Sequence, residues 1–106
     1  MIKVIVNHFT KSDEDTDLLM GIIKQLGNEA IKQTGYITGR TLVNVTDPSN
    51  VLAISTWDKK ESWDAWDTSE TCAGITKQVL PLLKRPYTVS IYDFAMTRVG
   101  RVSSIF

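Results

Sequence analysis

Apolar residues along the chain switch between a two-residue and a helical spacing, and each switch marks an element. From Ile2 to Phe9 (IKVIVNHF) β-branched and aromatic residues dominate, which predicts a strand. Ser12-Asp13-Glu14-Asp15 then supplies a hydroxyl cap and acids suited to a helix N-terminus. Leu18, Leu19, Ile22, Ile23, Leu26, Ala30 and Ile31 recur at helical spacing and predict one apolar face. Thr34-Gly35 should end that helix, because glycine tolerates the left-handed conformation. Residues 36–45 predict a second strand, interrupted by Gly39, and Asp47-Pro48-Ser49-Asn50 a turn into a third strand over 51–57. Asp58 with Glu61 looks like a capping box for a second helical region, which carries Trp63 and Trp66. Ser69-Glu70 breaks and restarts that region, and Cys72, Ile75, Val79 and Leu83 continue its apolar stripe. Pro81 lacks the donor a helix needs and makes the last turn irregular, before a fourth strand over 87–94.

The order β-α-β-β-α-β, with right-handed crossovers around an antiparallel sheet, is an α+β ferredoxin-like fold with helices on one sheet face. The other face should be polar if it met water. It is not: Val4 and Val6 lie on one side of the first strand, Ile5 and Phe9 on the other, and Val51-Leu52-Ala53-Ile54 is apolar throughout. An exposed apolar face of roughly several hundred Å² is a liability, so a second copy of the sheet is expected to cover it, giving a homodimer. Residues 1–95 form the expected domain. Residues 96–106 carry Val99, Val102, Ile105 and Phe106 and are expected as an ordered tail at the dimer contact, a short strand on the partner's sheet edge.

Composition narrows the function. At 106 residues there is room for one core. A formal net charge of zero without a basic block argues against nucleic acid or an anionic membrane as partner. A single cysteine makes neither an internal disulfide nor a thiolate metal cage. Without a signal-peptide pattern or a membrane-spanning apolar run, the expected compartment is the cytoplasm. No phosphate loop, HExxH, Gly-x-Ser-x-Gly or His–carboxylate cluster is present, so no metal site is expected.

The remaining chemistry rests on polar groups in apolar surroundings. Asn7 stands mid-strand, where asparagine is disfavoured. Left unpartnered and buried, its amide would cost about 1–3 kcal/mol, so it is either tied to neighbouring backbone or aimed into a pocket. Trp63 and Trp66 share one side of a helix and serve either as core or as a flat wall with N–H donors. His8 points opposite to Asn7 by strand alternation, which places it on the docking face. Cys72 reads as a small hydrophobe.

The segment 57–89, with a strand ending in Trp57, a Trp-bearing helix, a Ser-Glu restart and the ending Val79-Leu80-Pro81-Leu82-Leu83, resembles the antibiotic biosynthesis monooxygenase (ABM) domain. Asn7 on the first strand and the amphipathic first helix match as well, so the resemblance spans about residues 2–94. It implies a dimeric α+β barrel with one pocket per subunit between sheet and helices, and a cofactor-independent monooxygenase of a small aromatic or quinol-type substrate. On that reading Asn7 and Trp66 are catalytic donors, and Phe9, Trp63, Cys72 and Thr76 line a pocket for a planar ligand. Haem-degrading members, by contrast, use an axial histidine on the following helix. Thr76 stands at that place here, and threonine is no axial haem ligand. Haem binding, with Cys72 as substitute ligand, is the alternative, and a non-catalytic binding module is another.

Overall fold

A computed structural model of the chain describes residues 1–101. Eight residues, β1 (Ile2–Phe9), form the inner strand on which the rest is built. β2 (Tyr36–Asn44) and β3 (Asp47–Trp57) make a hairpin, and β4 (Thr88–Asp93) lies on the far side of β1, giving the sheet order β2-β3-β1-β4, all antiparallel. The helices α1 (Asp13–Ala30), α2 (Lys60–Asp67) and α3 (Glu70–Thr76) pack on one face of this sheet. This is the expected α+β ferredoxin-like arrangement.

Local chemistry sets the boundaries. The Ser12 hydroxyl accepts from the Asp15 backbone N–H at 3.1 Å and caps α1, with Asp13, Glu14 and Asp15 in its first turn beside the positive dipole end. The helix ends at Ala30, short of the expected Thr34-Gly35. The chain leaves it through tight i→i+3 bonds from Lys32 and Gln33, and Gly35, at φ 88°, serves the turn into β2 instead. A side chain at Gly35 would collide with Asp58 and Ser62. Leu18 and Ile31, counted on the apolar stripe, are exposed, while Leu19 at its centre is fully buried.

The hairpin turn falls at Val45-Thr46, not at Asp47–Asn50. The Asn44 side chain accepts from both the Thr46 N–H and its hydroxyl, closing an Asx turn. Pro48 therefore belongs to β3. The register with β2 shifts between Val43 and Asn44, from Val43↔Val51 to Asn44↔Asp47, so Pro48 sits outside the ladder and its missing donor leaves no gap. The capping box expected at Asp58 is absent as well: Lys59 is the N-cap of α2, and the Asp58 carboxylate accepts from the Ser62 hydroxyl at 2.6 Å. Ser69 does restart the helix, accepting from Cys72 N–H at 3.1 Å while donating to the Trp66 carbonyl. Pro81 lies in a short 3-10 turn, Leu80–Leu82.

Residues paired across strands share a face, so the ladder assigns each side chain. Ile2, Val4, Val6 and His8, opposite Trp57, Ser55, Ala53 and Val51, look toward the helices. Two apolar clusters form there. Ile2, Val4, Trp57, Trp63, Trp66 and Cys72 make one, and Leu19, Val51, Val79 and Leu83 make the other. Lys3, Ile5, Asn7 and Phe9, with Ile54 and Leu52 opposite Ile5 and Asn7, look away from the helices onto an uncovered face. The tail enters no strand as far as Arg101, and Met96 and Val99 are exposed. Residues 102–106, half of the expected extra strand, lie outside the described residues.

Candidate active site

Between the sheet and the helices lies a cavity of about 400 Å³, the size of a small-molecule site. Its floor is Val6, His8, Ala53 and Ser55 on the inner strands, and its walls are Tyr36, Trp57, Trp63, Trp66 and Tyr87. The fold builds these walls in steps. Gly39 in β2 leaves room for the Tyr36 hydroxyl, which a Cβ there would strike. Tyr36 meets Trp57 edge-on at 5.3 Å between ring centroids, and Trp57 meets Trp63 edge-on at 5.9 Å. The Trp57 indole N–H donates to the Ser55 hydroxyl at 2.9 Å, so this fully buried ring is satisfied and fixed.

Four of the six residues expected at the site are here. Trp63, Trp66, Cys72 and Thr76 all line the cavity. Cys72 Sγ lies 3.8 Å from the Thr76 hydroxyl, one helical turn away on α3. Trp66 also walls a second, smaller hollow with Gln33, Thr34 and Ser62.

Asn7 and Phe9 are elsewhere, and their expected place in the pocket is corrected. Both belong to the uncovered face. The Asn7 carbonyl oxygen accepts from the Asn50 amide at 2.6 Å, and Asn50 accepts in turn from the Asn44 amide, so three asparagines form a chain across the strands. The Phe9 ring is capped by the Arg85 guanidinium at 3.8 Å. His8 is corrected in the opposite sense. It is 4% exposed, lines the cavity, and packs against Tyr87 with ring centroids 5.9 Å apart.

The His8 ring is held by one bond: Nδ1–H donates to the Val51 carbonyl at 3.1 Å. A carbonyl only accepts, so the proton sits on Nδ1. Burial pushes the imidazole below its ordinary 6.5, against the smaller opposing effect of that bond. Burial likewise pushes the Cys72 thiol up, offset in part by the Thr76 hydroxyl, and pushes up the phenols of Tyr36 and Tyr87, the latter helped by Asp67 and Cys72. Asp67, at the cavity rim, is also raised by burial and then by Asp64. Among the described residues no group of three or more metal-ligating side chains is brought together, and no helix is long and apolar enough to cross a membrane.

Sequence reasoning missed His8, Tyr36, Trp57 and Tyr87 as pocket residues. One signal was available for His8. The alternation that puts Asn7 on one face also puts Lys3 there, and a lysine is almost never buried between helix and sheet. The set with Lys3 had to be the outer one.

No family model matches the chain, and no curated protein matches it in sequence. Solved structures do match in shape. An antibiotic biosynthesis monooxygenase superposes with a TM-score of 0.79 at 19% identity, covering 91% of this chain and 100% of the other. A conserved protein from Methanosarcina mazei gives 0.79 at 21% identity, over 86% and 89% of the two chains. A variant of SnoaB, a cofactor-independent oxygenase from Streptomyces nogalater, gives 0.81 at 8% identity, over 91% and 94%. At such identities the shared property is the backbone. The chain has the α+β fold of the antibiotic biosynthesis monooxygenases, as the resemblance in its sequence implied.

Proposed function

We propose that this protein is a cofactor-independent monooxygenase of a small, electron-rich phenol or quinol. The observation that carries this reading is the cavity itself: aromatic walls from Tyr36, Trp63, Trp66 and Tyr87 stand around a space whose lining surface is mostly apolar, with His8, Ser55 and Thr76 among its polar groups. A planar ring slides between such walls, and an apolar site excludes the water that would quench reactive intermediates.

The chemistry belongs mostly to the substrate. A phenol that loses its proton becomes an electron donor, and the phenolate passes one electron to dioxygen. The resulting substrate radical and superoxide combine at a ring carbon that bears hydrogen, forming a C–O bond and a peroxide anion. The peroxide takes up a proton, and loss of water across the O–O and C–H bonds leaves a carbonyl. One oxygen atom enters the product and the other leaves as water, so phenol plus dioxygen gives quinone plus water. The protein's part is to position the ring, stabilise the anion and manage the proton. Trp66 and Trp63 supply flat walls and indole donors for the developing oxyanion. Thr76 occupies the position of an axial haem ligand in the resemblance, and its hydroxyl does not fit that task.

The uncovered sheet face, with Ile5, Phe9, Leu52 and Ile54 around the asparagine chain, is assigned to a second copy of this chain. Asn7 takes its part there, in the face rather than in the pocket. Oxygen uptake against anthrone and simple hydroquinones tests the enzymatic reading. Consumption of one dioxygen per product, with one atom of labelled dioxygen in the product and no hydrogen peroxide released, without added metal or flavin, supports it. A protein that binds anthrone yet leaves its oxidation rate at the background value is a binding module and not an enzyme.

A further inference from the structure

We propose that His8 is the proton acceptor of the cavity, taking the phenolic proton of the substrate on Nε2 and returning it to the peroxide. The proposal rests on the phenol-oxygenating reading above and supplies the base that reading needs. Three observations on the molecule lead to it.

The first is the tautomer. Because Nδ1–H is committed to the Val51 carbonyl, the neutral ring carries its lone pair on Nε2. The second is access. No described residue is a hydrogen-bond partner of Nε2, yet no buried side-chain nitrogen or oxygen lacks a partner, so Nε2 is not sealed in. His8 lines the cavity, and Nε2 is assigned to that space. The third is competition. The other titratable or charged groups lining the cavity are Tyr36 and Arg40 from β2, Lys24 from α1, Asp67 at the end of α2, Cys72 from α3 and Tyr87 just before β4, and a guanidinium has no lone pair to offer. Burial keeps the thiol and both phenols protonated at neutral pH, and an ammonium is no acceptor. The Asp67 carboxylate is exposed at the rim, where water occupies its lone pairs. Burial keeps His8 neutral near pH 7, with a lone pair on Nε2 ready to accept.

The proton balance is simple. The substrate O–H breaks, Nε2 gains the proton, and an imidazolium–phenolate pair forms in the cavity. After dioxygen adds, the peroxide anion takes that proton back, and His8 is neutral again for the next turnover.

His8 is the chain's one histidine, which makes the test direct. In untagged protein with ¹⁵N-labelled histidine, the expected spectrum at pH 7.5 has a protonated Nδ1 and a bare Nε2. Its titration midpoint should lie below the ordinary value. Added 4-nitrophenol should gain phenolate absorbance at a pH where the free phenol is neutral, as Nε2 moves to its protonated shift. His8→Gln should keep 4-nitrophenol binding, read by tryptophan quenching, lose the phenolate band, and slow anthrone turnover by about 10²–10⁴-fold. A proton found on Nε2, or 4-nitrophenol bound as the neutral phenol with His8 unchanged, overturns the proposal and leaves the cavity reading standing. Failure of both 4-nitrophenol and 1,8-dihydroxyanthraquinone to bind removes both. The wild-type spectrum decides the tautomer even if His8→Gln does not fold.

Discussion

Asn7 and His8 are neighbours on β1, yet they sit in different environments. On the covered face His8 is buried between sheet and helices, holds a single backbone bond and lines a cavity. On the uncovered face Asn7 is half-buried, and its side-chain oxygen is tied to Asn50, itself bonded to Asn44. The difference teaches what each face is for. A polar group that a fold leaves with unused capacity in a cavity is available for chemistry. One that is knitted into a network of its own kind on an apolar surface serves register and specificity instead.

The comparison can be broken most forcefully on β3, whose residues alternate between the faces. Trp57→Ala removes a fully buried ring of the covered face and should cost about 3–5 kcal/mol in urea unfolding. Ile54→Ala, on the other face, should cost much less at a concentration where the chain is monomeric. Equal losses would mean that the two faces are not distinct. The next effect is on the proposed dimer: Ile54→Glu puts a charge on the uncovered face and should weaken self-association through it by about 30-fold or more, equivalent to a hot-spot loss of about 2 kcal/mol. Sedimentation equilibrium reads it, and an unchanged mass distribution would take that face out of the account.

A smaller effect is local to the cavity wall. Ser69→Ala removes the cap of α3 and its bond to the Trp66 carbonyl, and should cost about 1 kcal/mol in unfolding free energy. The smallest is a dependence on pH. His8 has a lowered folded-state value, so the unfolded chain binds a proton that the folded chain refuses. Its stabilising contribution is complete above about the ordinary 6.5 and is lost as pH falls through the lower folded value. The thermal midpoint should therefore fall on that acidic side, and His8→Gln should flatten this part of the curve. A slope that survives the substitution belongs to other groups.

Much of the fold was legible because period and caps act locally. The β1 alternation, Ser12, the Ser69 restart and the stripe through Cys72, Ile75, Val79 and Leu83 are all read from neighbours a few residues apart, and all stand in the structure. The turn at Asp47–Asn50 and the cap at Asp58 misled because their side chains had two local partners to choose between. Asp47 bonds Ser49 within β3, and Asp58 bonds Ser62 across the first turn of α2. The candidate site was legible by halves. Trp63, Trp66, Cys72 and Thr76 are fixed by helical spacing toward the sheet, whereas alternation along β1 gives two equivalent sets and leaves the choice to whatever packs against them. The helices choose Ile2, Val4, Val6 and His8. Tyr36 and Trp57 are brought together at the cavity by the pairing of β2 with β3, and Tyr87 reaches it from just before β4.

The central claim, that the covered face binds the substrate, is most directly tested by methyl NMR of the isoleucine, leucine and valine side chains during titration with 1,8-dihydroxyanthraquinone. Shifts are expected at Val6, Ile23, Leu26, Val79 and Val89, which line the cavity, and none at Ile5, Leu42 or Leu52 on the other face. Shifts confined to Ile5, Leu42 and Leu52 would contradict the claim.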